Sequence, residues 1–319
     1  MDGLAIGLTP WLDDWDGPGD SLTAQAERAE ALGFHSFWLP ESHFAGRASN
    51  PAPLLRLAAV AARTRRLRLG TTSFLLPVRH PLHVAAEVAV LDRLSRGRVI
   101  LGVGRGFRSS LFAAFDVPAR EKRDRFEANL EAMRRAWLGE PVAQEACGDP
   151  VRLAPLPLQR PHPPIWVAGF GPKAIAQAGR LGLAYLASPI EPLASLAENY
   201  ARHREALPGS LDPASLAVPV MRSVFASRDP ALLARAHAEL VRQAAALGRA
   251  PGLRRLAGSE PEDWAILGEP EAVAERVRDY RKRLGMTHLI VRAHLPGLPA
   301  EALEESLRLV AALGTSGWT

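Results

Sequence analysis

Cysteine is almost missing from this chain. The one copy, Cys147, excludes an internal disulfide and any metal site built on several thiolates. A reducing compartment, the cytoplasm, is the expected location. Lysine is nearly as scarce, standing only at Lys122, Lys173 and Lys282, so arginine carries most of the positive charge. Aromatic residues make up 6% of the chain and do not interleave with basic ones. The net charge of +5 is spread along the whole sequence with no basic tail, which excludes nucleic acid as the expected partner. Long hydrophobic runs are missing too. Arg or Pro interrupts each apolar stretch well short of the roughly 20 residues of a membrane span. The start, MDGLAIGLTPW, contains Asp2 and no long apolar region, so no signal peptide is expected. Neither a Gly/Ser-rich linker nor an internal repeat divides the 319 residues, and a single domain over 1–319 is expected.

What is present is an alternation. The segments 4–11, 34–40, 67–77, 98–104, 165–170, 183–189, 217–226 and 287–295 are short and apolar and read as strands. Between them lie amphipathic stretches with helix punctuation. In 21–33, Ser21 can cap, Leu22, Ala26, Ala29 and Leu32 share a face, and Gly33 stops the helix. The stretch 51–65 has Pro in its first turn. Strands that alternate with helices pair in parallel under a helical cover. Eight such units in a chain of this length predict an α/β fold of the (β/α)8 TIM-barrel type, with insertions near 105–120 and 249–268. In such a barrel the site lies at the C-terminal strand ends.

Those ends carry the chemistry. Strand 4 runs into GVGRGF, with Gly102, Gly104 and Gly106 around Arg105. A dinucleotide fingerprint needs a different glycine spacing, a first strand and a following helix. A phosphate cradle fits better. The glycines keep the strand end uncrowded, and Arg105 offers a forked pair of donors to phosphate oxygens. Strand 5 ends in GFGPK, which sets Gly169, Gly171 and Lys173 at a helix start, where backbone N–H groups favour an anion. The two together suggest a mononucleotide. The competing reading is that the glycines serve tight turns and the two cations are solvated. Strand 2 ends in PESHF, and His43 there has the residue type suited to proton transfer near neutral pH. The competing role is a hydrogen bond to its own loop, with Glu41 pairing locally. His80 and His83 have helical spacing but no clear third ligand, so no metal is expected.

The stretch LRLGTTSFLLPVRHPLHVAAEVAVLDRLSRGRVILGVGRGF (67–107), QRPHPPIWVAG (159–169) and LGEPEAVAERVRDY (267–280) resemble the bacterial luciferase-like superfamily of flavin-dependent oxidoreductases. The resemblance covers almost the whole chain. It implies a barrel with a flavin at its C-terminal mouth, and a non-proline cis peptide at Thr72–Ser73 behind the flavin ring. Cofactor contacts are implied at Thr72, Ser73, Arg105, Gly106, Phe107 and Arg123, at Gly169, Phe170, Gly171 and Lys173, and at Ser188 near the ring. Two departures stand out. The first of two adjacent luciferase histidines is Ser42 here, with the second kept as His43, and a reactive luciferase cysteine is Gly104. Light emission is therefore not expected.

The leading expectation is a monooxygenase that uses reduced FMN and O2 on a small organic substrate, with His43 as the catalytic candidate and a separate flavin reductase as partner. Within GRLGLAYLASPIEP, Gly-Leu stands where the deazaflavin branch has an Asp-containing pattern. The alternative is hydride transfer with the deazaflavin coenzyme F-420, for whose charged tail Lys173 is suited. A third possibility is a flavin-binding subunit without catalysis. The resemblance also implies a homodimer through helices 2 and 3.

Overall fold

The computed structural model describes residues 3–12, 20–248 and 260–315. The elements begin with β1 (Ala5–Leu8), α1 (Asp20–Ala31), β2 (Ser36–Leu39), α2 (Pro53–Arg63), β3 (Arg68–Thr71), β4 (Phe74–Leu75), α3 (Pro81–Leu94) and β5 (Val99–Gly104). Then come α4 (Ser109–Ala114), α5 (Lys122–Trp137), the hairpin strands β6 (Pro141–Gln144) and β7 (Pro150–Arg152), β8 (Ile165–Ala168), α6 (Pro172–Arg180), β9 (Ala184–Leu186) and α7 (Leu193–Glu205). The last are β10 (Pro219–Ala226), α8 (Pro230–Gly248), α9 (Pro261–Trp264), β11 (Ala265–Gly268), α10 (Pro270–Leu284), β12 (His288–Arg292) and α11 (Ala300–Thr315).

The chain divides into two compact units. The first comprises Met1–Asp14, Arg28–Trp38 and Gly169–Thr319, the second Trp15–Glu27 and Leu39–Ala168. In the first unit, β2, β1, β12, β10 and β11 pair side by side, all in parallel. The long strand β10 is shared. Its Pro219–Ser223 half lies along β12 and its Ser223–Ala226 half along β11. Every residue of β10 is buried, as suits a parallel strand covered on both faces. Gly7 of β1 makes room for β2: a Cβ there would stand 2.6 Å from the Trp38 indole nitrogen. Proline at the first turn of α10 and left-handed Gly285 at its end (φ 71°) bound that helix.

In the second unit, β3, β5 and β8 pair in parallel, and β4 also pairs with β5. The six residues of β5 are all buried. α3 packs against both α2 and α5. Arg98, just before β5, is buried and spends its guanidinium on backbone. It donates to the carbonyls of Ser95, Leu67, Ala61 and Thr64 and to the Thr64 hydroxyl. The carbonyls of Ala61 and Thr64 lie at the end of α2, where a helix has no partners of its own to give them. Buried Asp92 accepts from the backbone of Leu158 and Gln159, each at 2.8 Å, and from the Gln159 amide. That amide also donates to Val99 of β5. The Pro-rich connection from the hairpin to β8, residues 150–164, is thereby tied to the start of the strand that leads to Arg105.

The architecture is α/β with parallel strands, and each strand expected from the sequence lies within its expected span. The third is interrupted: β3 stops at Thr71 and β4 resumes at Phe74, with a cis Thr72–Ser73 peptide between them. The Pro-rich connection begins with β7, paired antiparallel to β6. Of the expected insertion at 249–268, residues 249–259 lie outside the described residues, and the rest holds α9 and β11. The insertion near 105–120 holds α4.

Candidate functional site

The second unit gathers the ends of β2, β3 and β5. The Thr72 backbone N–H donates to the Leu39 carbonyl at 2.8 Å, which joins the ends of the second and third strands. The cis peptide turns the chain directly after that bond, where the resemblance implies it. Ser73 then lies against Gly104, where a Cβ would stand 2.2 Å from Ser73 Oγ. This corrects one reading of the sequence: the space at Gly104 is filled by Ser73, not left open for a ligand. Gly106 has φ 73°, a backbone conformation glycine supplies at little cost, and starts the turn out of β5. Phe107 is exposed, with the Arg108 guanidinium 6.0 Å from its ring centroid.

Three cations lie near that turn. Arg105 is half-buried, and Arg123 and Lys122 sit in the first turn of α5. Burial, followed by the charge of Arg123, lowers the Arg105 pKa. Burial, followed by the charges of Arg105 and Arg123, lowers that of Lys122. Lys122 Nζ also stands 5.6 Å from the Phe112 ring centroid. Mutual repulsion within a partly desolvated group is a cost that a bound anion offsets.

His43 stands at the end of β2. Its Nε2 is 2.5 Å from Oε1 of Glu41, whose side chain is fully buried. The same Oε1 accepts from Arg79 Nη1 at 2.8 Å, and Oε2 accepts from the Leu75 backbone at 2.9 Å. The Arg79 guanidinium lies 4.1 Å from the Phe74 ring centroid. Glu41 therefore fastens the strand 2 end to β4, just past the cis bond. Ser42 shapes the following loop: its backbone pairs with Asn50 in both directions, and its hydroxyl donates to Ala48. The His43 ring packs edge-on to Phe115 of the α4 segment, centroids 5.2 Å apart, and beside Phe44 at 5.8 Å. Phe44 and Phe115 are 6.1 Å apart. Neither Arg79 nor Phe115 gave any sequence signal, being 38 and 72 positions from Glu41 and His43. His80 caps α3, its Nδ1 accepting from the Leu82 backbone.

The first unit holds the other expected cofactor residues. Gly171, with φ 75° and ψ 165°, is the N-cap of α6, and its carbonyl accepts from Ala174 and Ile175. Pro172 and exposed Lys173 open the helix. Gly169 is half-buried, and Phe170 is partly exposed. Ser188 is buried after β9, and its hydroxyl accepts from the Ile190 backbone at 3.4 Å. Buried Arg222 of β10 holds that loop, donating to the carbonyls of Ser188 and Glu191 at 2.8 and 2.7 Å. Tyr280 Oη accepts from its Nε. Among the described residues, His237, Glu260 and Glu262 form a mostly exposed group with metal-ligand spacing.

The family model described as Luciferase-like monooxygenase matches residues 9–288. A curated relative from Acinetobacter baylyi, the oxygenase component of flavin-dependent trigonelline monooxygenase, is 32% identical over 162 residues, 49% of this chain and 44% of its own. The chain spans about half the length of the curated relatives it matches. Among solved structures, monooxygenase RslO1 from Streptomyces bottropensis superposes with a TM-score of 0.82 at 29% identity, over 97% of this chain and 98% of that one. The oxygenating constituent of 3,6-diketocamphane monooxygenase from Pseudomonas putida, in complex with FMN, has the same fold. Its TM-score is 0.79 at 21% identity, over 97% and 96% of the two chains.

Proposed function

From the premise that the chain belongs to the luciferase-like monooxygenase family, we propose that it is a flavin-dependent monooxygenase acting with reduced FMN and O2 on a small organic substrate. The observation that carries the reading is the cluster of Arg105, Lys122 and Arg123 at the glycine-rich end of β5, whose mutual repulsion a phosphate dianion relieves. Reduced flavin supplies the electrons for oxygen activation, which no side chain here can do. The residues do the rest. Arg105 and Arg123 hold the phosphate, with Gly106 and Phe107 shaping the turn. Thr72 and Ser73 support the ring, and His43 carries protons. Gly169, Phe170, Gly171, Lys173 and Ser188 are proposed as further cofactor contacts on the strength of the family resemblance. Closure of the parallel strands into a full (β/α)8 barrel, a separate flavin reductase and a homodimer belong to the same proposal.

The test is an equilibrium titration of the purified protein with oxidised and anaerobically reduced FMN, and separately with the deazaflavin coenzyme F-420. Arg105→Ala and Lys173→Ala run beside it. Reduced FMN is expected to bind, and Arg105→Ala to weaken it by about 10- to 100-fold, the value of a charge-assisted pair. Selective binding of the deazaflavin replaces the oxygenase reading with hydride transfer. Binding of neither by folded protein removes both.

A further inference from the structure

The Glu41–His43 pair fixes a proton. Glu41 accepts from Arg79 and from the Leu75 backbone, so it is a carboxylate and only accepts. Nε2 of His43 therefore carries the hydrogen in the Glu41 contact, and neutral His43 has its lone pair on Nδ1. That nitrogen is not among the buried atoms lacking a partner, and His43 bonds no side chain other than Glu41 among the described residues, so Nδ1 can be reached by a ligand although the side chain is only 8% exposed.

Around it stands an aromatic platform. The imidazole, Phe44 and Phe115 form a triangle with centroid separations of 5.2, 5.8 and 6.1 Å. The spacing is too close for a ring to slide between the phenyls, so the platform offers its outer side. Phe44 is 64% exposed and Phe115 38%, a cost for large apolar groups standing together in water. Phe44 also has φ 56°, a left-handed conformation rarely adopted by a bulky residue. A strained backbone that holds a phenyl ring out beside a histidine points to a ligand.

We propose that the substrate is a hydroxylated aromatic molecule, its ring stacked on Phe44 and Phe115 and its hydroxyl donating to Nδ1 of His43. Proton transfer breaks the O–H bond and forms N–H at Nδ1. It leaves a phenolate, whose ring is richer in electrons, and an imidazolium facing the Glu41 carboxylate. Glu41 is the positioning residue that sets the tautomer. This names the substrate class for the flavin reading above and rests on it, but the binding site can be tested without flavin.

The experiment is calorimetric titration of the protein, with no flavin added, against 2-naphthol, 2-methoxynaphthalene and cyclohexanol. 2-Naphthol is expected to bind at least about tenfold more tightly than the other two, the value of one hydrogen bond to a buried acceptor. His43→Phe, which keeps an aromatic ring, is expected to erase the preference over 2-methoxynaphthalene. Phe44→Ala is expected to weaken both naphthalenes. The 15N spectrum of histidine-labelled wild type is expected to show the His43 Nδ1 as the lone-pair nitrogen. Equal binding of naphthol and its ether, a preference that survives His43→Phe, or a proton on Nδ1 of neutral His43 would overturn the proposal. Naphthol binding without FMN binding would sink the flavin reading alone, and the converse would sink only the substrate class.

Discussion

An alanine at position 104 would set its Cβ 2.2 Å from Oγ of Ser73 and 3.0 Å from its Cβ. Ser73 must then move, and with it the turn after Thr72. Gly104→Ala is expected to destabilise the fold by about 1–3 kcal/mol, as overpacking does, and to weaken FMN binding. Adding Ser73→Gly is expected to restore most of the stability in a denaturant melt. If Gly104→Ala alone leaves the midpoint unchanged, the contact carries no such weight. At this scale the sequence was half legible. Arg105 and His43 could be picked out because their residue types suit phosphate and proton chemistry at strand ends, and Arg123 only through the family resemblance. The partners that set their properties could not. Glu41 reads as an ordinary loop carboxylate until Arg79 and the Leu75 backbone are brought to it from more than 30 positions away. Lys122 stood out only for the rarity of lysine.

Among the helices, α2 and α3 pack together and leave Leu55, Val90 and Leu94 in water, with Leu55 76% exposed and Leu94 60%. A homodimer through these faces would cover them. If the proposed homodimer forms through this face, Leu55→Arg with Leu94→Arg is expected to leave a folded monomer in sedimentation, and an unchanged mass would reject this face. Helices and strands were legible because parallel strands read as unbroken apolar runs and the helices carry Pro starts and Gly stops. The break in the third strand was not visible in the apolar pattern of TTSFLL, and only the family resemblance pointed to Thr72–Ser73. Several family-typical residues prove architectural. Arg98, Asp92 and Gln159 anchor α2 and the Pro-rich connection to the start of β5.

For the molecule as a whole, each unit withdraws one histidine from water, His203 fully and His162 in part. His203 Nε2 donates to the Leu183 carbonyl and His162 Nδ1 donates to that of Pro163, and burial lowers both pKa values from the ordinary 6.5. As pH falls below 6.5 the unfolded chain takes up these protons first, so stability is fullest above that value and is lost as pH drops through the folded-state values. The thermal midpoint is expected to fall between pH 7 and about 5, before most carboxylates titrate. His203→Gln, which can keep the donor, is expected to flatten part of that slope. A midpoint independent of pH across the window would count against it.

The shared strand β10 has a consequence for how this fold can change. The chain leaves β10 at Ala226 and re-enters the sheet at Ala265, which lies beside Ser223, so the two strands run side by side and end together at Ala226 and Gly268, with Ser227 donating to the Gly268 carbonyl. The short β10–β11 ladder thus acts as a clip on the excursion that carries α8 and α9, while β12 is held by the other half of β10, Pro219–Ser223. A protein engineer who lengthened or exchanged that excursion would load the clip before the β10–β12 pairing.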